Sequence, residues 1–292
     1  MTKLTASTPP GETLAAMAAD LLHDAHAAVS FPEAPADEAV HDFRKAIKRW
    51  RAFLRLVEPV IGDEAKALQR AARDPSRKLG RARDLRATLD AIEDLRRRGG
   101  PDATVLDRAR DRILPLLAEA ETTHADMPLR EAAGREVLLW QQTVSRWNFK
   151  GIGIDEFSKA LAKGYRRARK AAPKRFAAAD EETLHDFRKR VIDHRYQIEL
   201  IKPLSPEAVK ARVDDAQRLR DALGMHRDLA LLRITAESGS PLHEFSEDLL
   251  PAIARRQKKH LAQAQKLAAH LFAPRPHAFR EEIRALWQQQ PE

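Results

Sequence analysis

The 292-residue chain sets 52 Lys and Arg against 43 Asp and Glu, a formal charge of +9 at pH 7, with 43% hydrophobic and 33% charged residues and no Cys. That balance suits a folded, heavily ionised protein and excludes collagen-like or wholly disordered chains, while the absence of Cys removes disulfides, thiolate zinc sites, iron–sulfur clusters and cysteine nucleophiles. No apolar run reaches the roughly 18–20 residues of a membrane span, and residues 1–11 show no basic region leading into an apolar stretch, so a cytoplasmic location is the default expectation.

Aromatic residues make up only 5% and Gly only 11 positions, while Ala, Leu, Arg, Glu and Asp dominate. These residues lose little rotamer freedom in helices, so the chain is expected to be all-α. In chain order, helices are expected near 12–29, 37–58, 63–98, 102–125, 129–147, 155–172, 181–202, 206–236, 241–271 and 277–289. Gly, Pro and their neighbours break them at Phe31-Pro32, Gly99-Gly100-Pro101, Gly151-Ile152-Gly153, Pro203, Gly239 and 273–276. The second is the clearest: Val40, Phe43, Ile47, Trp50, Leu54 and Val57 form one apolar stripe, with Asp37 and Glu38 at its start and Glu58-Pro59 at its end. Pro75, Pro115, Gly80 and Gly224 fall inside expected helices and mark places for kinks or splits.

The chain repeats itself. His41-Asp42-Phe43-Arg44-Lys45 recurs 144 residues later as His185-Asp186-Phe187-Arg188-Lys189, and at the same offset Leu79-Gly80 with Arg83-Asp84-Leu85 recurs as Leu223-Gly224 with Arg227-Asp228-Leu229. Leu139-Trp140-Gln141-Gln142 returns as Leu286-Trp287-Gln288-Gln289, with about three extra residues absorbed by a connection. Two copies of one helical unit follow, 10–150 and 151–292, joined near 149–154, and a pseudo-two-fold with the duplicated faces opposed is the natural arrangement.

On a helical wheel, His41, Arg44, Lys48, Arg51 and Arg55 gather on one flank of the apolar stripe, while Lys45 and Arg49 point farther away. At about 1.5 Å per residue that flank is a cationic track of roughly 21 Å, suited to a rod-shaped anion. The second copy keeps His185, Arg188 and Arg195 but has Ile192 and Glu199 at the positions of Lys48 and Arg55, so its track is weaker.

His, an Arg three residues on and a second Arg ten residues on, followed by LGxxRD, all duplicated and with Arg195-Tyr196 and Glu199 in the second copy, resembles the CHAD family, the conserved histidine α-helical domain. The resemblance covers nearly the whole chain. It implies two four-helix bundles about a pseudo-two-fold, with a basic central surface that binds inorganic polyphosphate, and association with intracellular polyphosphate granules. Family members occur beside or fused to triphosphate-tunnel (CYTH) domains, so polyphosphate-granule proteins or a CYTH-type partner are the expected protein partners. Arg83 and Arg227 join the candidate ligand surface, and Asp84 and Asp228 are assigned to architecture, orienting a cation or capping a helix.

Other readings stand beside this one. His41-Asp42 and His185-Asp186 invite a metal-dependent phosphohydrolase, but adjacent helical residues lie about 100° apart and do not readily face one ion. His23 and His26 suit a solvated face better than a metal site, and Trp140 and Trp287 suit core packing. The basic runs 165–170 and 255–260 extend the positive surface or are solvated faces. No nucleophile has an adjacent base and no phosphate-binding glycine loop is present, so neither catalysis, a cofactor nor a metal is expected. Nucleic-acid binding is the alternative, since a basic helical face also neutralises a phosphodiester backbone; the scarcity of aromatic residues and of recognition motifs disfavours it.

Overall fold

The computed structural model describes residues 9–30, 36–72, 80–122 and 127–289. Among them every regular element is helical: α1 Pro10–Ser30, α2 Ala36–Ile61, α3 Asp63–Ala71, α4 Gly80–Arg97, α5 Ala103–Thr122, α6 Met127–Val144, α7 Ile154–Ala171, α8 Glu181–Glu199, α9 Pro206–Ala236, α10 Ser246–Leu271 and α11 Pro276–Gln288. No described helix is long and apolar enough to cross a membrane.

The stripe on α2 behaves as its period requires. Phe43, Ile47, Trp50, Leu54 and Val57 are all buried, and the Val40 side chain lies outside the described residues. Pro59 does not end this helix. Gly62 does, taking a φ of 81° and donating its N–H to the Glu58 carbonyl at 2.9 Å, a left-handed stop that a residue with a Cβ adopts only under strain. The helix expected over 63–98 is described as α3 and α4, with Pro75 in the intervening 73–79, outside the described residues. Its second-copy counterpart, α9, runs unbroken through Gly224, and Pro115 is carried inside α5. The segment expected to start at 241 begins as a helix only at Ser246, after a short 3-10 turn over His243–Phe245.

Helix pairings recur between the copies. α1 packs on α2 and α6, as α7 packs on α8 and α11; α4 packs on α5, as α9 packs on α10. The two central helices of the first copy meet their own counterparts, α2 against α8 and α4 against α9. The apolar clusters mix the copies as well. The larger draws on α1, α2, α3 and α6 together with α7, α8, α11, the first half of α9 and the end of α10. The smaller joins α4 and α5 to the last turns of α9 and the first of α10. Even the join is packed: Phe149 and Ile152 are buried, Gly11 donates its N–H to the Ile152 carbonyl at 3.1 Å, and a Cβ on Gly11 would stand 2.0 Å from the Phe149 carbonyl oxygen. Trp140 belongs to the larger cluster and Trp287 packs against it, as helical spacing implied.

Trp50 is wholly buried and stacks on Phe53 with ring centroids 5.5 Å apart. Trp50→Ala is expected to lower the unfolding free energy by about 3–5 kcal/mol, read as a shifted urea midpoint at unchanged slope.

Candidate anion-binding site

Four helices, α2, α4, α8 and α9, bring basic residues of both copies together. α2 supplies Arg44 and Lys48, α4 supplies Arg83, α8 supplies Arg188 and His185, and α9 supplies Arg220 and Arg227, and every one of them feels or exerts an electrostatic effect within the set. Two acids are interleaved. Asp84 on α4 faces Arg227 across the copies at 3.5 Å, and Asp228 on α9 acts on Arg83 and Arg188. Asp84 thereby pairs with an arginine of the other half.

The group strains against its own charge. Lys48 keeps a solvent-exposed surface. Burial first, then Arg44, Arg188, Arg83 and Arg220, push its pKa down to about 8. Arg188 falls to about 10, mainly by burial, with Asp228 opposing and Arg220, Arg83 and Arg227 adding repulsion; it stays charged near neutrality. Arg44 and Arg83 are lowered for the same reasons, burial leading in both, and Asp84 opposes. Asp228 moves the other way: burial outweighs Arg188 and Arg227, Asp90 adds repulsion, and its pKa rises to about 6. His185 is lowered by burial, then by Lys189, Arg227 and Arg188, so it is largely neutral at pH 7 and its buried Nδ1 has no hydrogen-bond partner among the described residues.

The LG motif has a physical reason in the second copy. A Cβ on Gly224 would lie 3.3 Å from Nη2 and 3.5 Å from Nε of Arg188, so the guanidinium rests on the bare backbone of α9. Its Nε is buried without a partner among the described residues, an orphan donor held inside a positive cluster. Gly80 holds the matching register position to Arg44 in the first copy, and Leu79 lies outside the described residues.

The one track that periodicity suggests is divided: Arg44 and Lys48 join the group, while Arg55 and Arg195 are paired elsewhere. Arg55 Nη1 binds Asp193 Oδ1 at 2.6 Å with both side chains largely buried, and Arg51 also acts on Asp193. Arg195 pairs with Glu199 at 3.5 Å and lies 4.9 Å over the Tyr196 ring. The wheel of α2 carried no acid because the acid comes from α8, which packs against it. His41 stands exposed one turn before Arg44. Arg220 is the residue that sequence reading missed. It lies two turns before Arg227, with Gly224 midway, so its helical spacing was a usable signal, but its first-copy counterpart is Ser76 and duplication did not point to it.

The remaining sequence candidates take structural or solvated places. Asp186 pairs with Lys189 at 3.0 Å, Asp42 is exposed, and among the described residues no three His, Asp or Glu side chains are grouped to hold a metal. His26 bonds Ser30 at 3.1 Å, and His23 is exposed. In the basic runs, Arg169 donates to the Phe272 carbonyl at 2.9 Å, Arg167 pairs with Glu58, and Arg256 forks onto Asp94 at 2.6 and 2.8 Å; Arg166, Lys170, Lys258 and Lys259 are exposed.

The CHAD domain family matches residues 13–237, from the start of α1 to the end of α9. Two solved structures share the fold over more of the chain. PptA from Streptomyces chartreusis aligns with a TM-score of 0.58 at 18% identity, covering 91% of this chain and all of that one. The CHAD domain from the plant Ricinus communis aligns with a TM-score of 0.53 at 20% identity, covering 99% and 95%. No curated protein sequence matches the chain.

Arg55→Ala separates scaffold from site. It strips the buried Asp193 carboxylate of its nearest counter-charge, so unfolding free energy is expected to fall by about 3 kcal/mol in a urea titration, while affinity for an anionic probe such as tripolyphosphate changes less than about twofold.

Proposed function

The chain belongs to the CHAD family, and on that premise we propose that its cationic cluster binds inorganic polyphosphate without chemically altering it. The observation that carries this reading is the convergence of basic side chains from four helices, in which Arg83, Arg188, Arg220 and Arg227 help to lower the pKa values of Arg44, Lys48, Arg83 and Arg188. Like charges held together store repulsion that a polyanion relieves. A linear chain with one negative charge per phosphate suits a cationic cluster fed from both copies, because each added phosphate meets another cation. Five of the seven basic side chains are arginines, which give up no proton near neutrality and so favour holding an anion over acid–base chemistry. On this reading the protein works at polyphosphate stores, where granule proteins or a CYTH-type enzyme would be its neighbours.

Calorimetric titration with phosphates of graded length tests the reading. Affinity should rise steeply from orthophosphate and then level off, and should fall with salt in proportion to the cations engaged. Equal affinity per molecule for orthophosphate and a long chain overturns it, and so does duplex DNA competing as well as polyphosphate of equal charge. Replacing Arg44, Lys48 and Arg83 with Gln should cost about a hundredfold or more in affinity with helical circular dichroism unchanged, because these side chains flank the core.

Lys48 sets the pH dependence on the alkaline side. Its pKa is about 8 in the free protein, with Arg44 on its own helix and Arg188, Arg83 and Arg220 facing it from α8, α4 and α9. A bound polyanion favours the ammonium and raises that pKa, so binding takes up a proton once the pH exceeds about 8. Affinity should therefore hold near pH 7 and fall between pH 8 and 10. Lys48→Arg should flatten that fall. On the acid side His185 and Asp228 act in the same direction, since both gain a proton more readily beside a bound anion, and binding should tighten as the pH drops from 7 towards 6.

A further inference from the structure

Gly224 is buried in the interior of α9, far from either end of the helix. It is not one of the glycines with a positive φ, so its backbone conformation does not call for the residue. Glycine is the least favourable residue after proline inside a helix, so α9 is weaker than it would be with alanine at this place. A Cβ there would meet one group. Its three nearest atoms would be Nη2, Nε and Cζ of Arg188, at 3.3, 3.5 and 3.8 Å, so no backbone of another helix stands closer. Gly11, whose Cβ would fall 2.0 Å from a carbonyl oxygen, is kept by packing; Gly224 is not.

The three distances also orient the guanidinium. Nη2 and Nε are nearly equidistant and Cζ lies behind them, so the Nε–Nη2 edge is the one turned towards α9. The Nε is buried without a partner among the described residues, and neither Nη atom is in that condition. The base of the side chain is fixed as well, since Phe187 and Val191 of α8 are wholly buried on either side of it. Asp228, one turn after Gly224 on the same face of α9, supplies the leading counter-charge to Arg188. We propose that Gly224 is a positioning residue for anion binding: its missing side chain lets Arg188 settle onto α9 so that the Nη1–Nη2 end is left to meet the ligand, and α9 keeps it at a cost in helix stability. This rests on the cationic cluster being a polyphosphate site. A methyl group at 3.3 Å would force the guanidinium to give by a few tenths of an ångström. The end of a long side chain can do so without unfolding anything, so the change falls on binding, where a planar fork is more sensitive to tilt than a rotating ammonium.

The test is a double-substitution cycle in the full chain, with tripolyphosphate titrated calorimetrically and urea midpoints measured on the same proteins. Gly224→Ala should keep the helical circular dichroism, raise the urea midpoint, and weaken tripolyphosphate by about five- to tenfold. Arg188→Lys retains the charge but has no Nε–Nη2 edge; it should weaken binding by about tenfold, and adding Gly224→Ala to it should change affinity by less than about twofold. An equal loss from Gly224→Ala in both backgrounds means that the glycine acts on something other than Arg188, and overturns the proposal. Wild-type affinity in Gly224→Ala overturns it, as does a lowered urea midpoint, the mark of a glycine required for packing. Full affinity in Arg188→Lys overturns it by an independent route, because charge without the fork would then suffice. All of these outcomes leave the polyphosphate reading in place. Wild type that binds neither tripolyphosphate nor longer chains overturns that reading and the role of Gly224 with it.

Discussion

Six permanent or near-permanent positive charges held within one group repel one another, and only a scaffold that cannot relax apart will keep them there. That constraint organises the structure. The larger apolar cluster runs through α2, α8 and the first half of α9, so the helices that carry Arg44, Lys48, Arg188 and Arg220 are bound to one another through buried side chains on their opposite faces. The smaller cluster ties α4 to the last turns of α9, fixing Arg83 and Arg227. Hydrophobic burial on one face of each helix offsets the electrostatic cost on the other, and Asp84 and Asp228 reduce that cost where two copies meet.

Duplication and divergence have left different marks on the site and on its supports. Arg44 and Arg188, Arg83 and Arg227, Asp84 and Asp228 are register pairs, and all six lie in the group. A few residues farther along α8, the second copy has exchanged base for acid: Asp193 stands at the position of Arg49, and Glu199 at that of Arg55. Because α2 packs against α8, the exchange turns repulsion into the Arg55–Asp193 pair. Two identical copies would have set base against base at this crossing. The loss of symmetry is therefore a condition for closing the scaffold there, and it confines the open positive charge to the part of the crossing nearer Arg44 and Arg188.

Much of this was legible in the sequence, for physical reasons. The apolar stripe of α2 could be read because burial on one side of a helix imposes a period, and Phe43, Ile47, Trp50, Leu54 and Val57 obey it. Arg44, Arg83, Arg188 and Arg227 could be read because both copies retain them. The differences have separate causes. A helical wheel shows the charges of its own helix and none of its neighbour's, so Arg55 looked free while its acid sat 138 residues away on α8. Arg220 was hidden for the opposite reason: its neighbours in space are on α2 and α8, while its register partner, Ser76, has no charge to draw attention to it. Proline usually stops a helix, yet Pro59, so near the end of α2, disturbs little, and the backbone turns at Gly62.

The interleaved acids also bear on which anions a cluster of this kind would hold. In the free protein Asp84 and Asp228 already partly satisfy Arg227, Arg83 and Arg188, so an incoming anion competes with carboxylates that are covalently present and need no ordering. A single phosphate meets one or two of these cations and gains little over the carboxylate it replaces. A polyanion meets the whole group, including Lys48 and Arg220, where the internal competition is weakest. Internal acids therefore raise the threshold of charge and length that a ligand must exceed, and they do so without lowering the maximum number of cations that a long chain can engage. A cluster of this kind would reject the abundant small anions of a cell by the same electrostatics that tie its helices together.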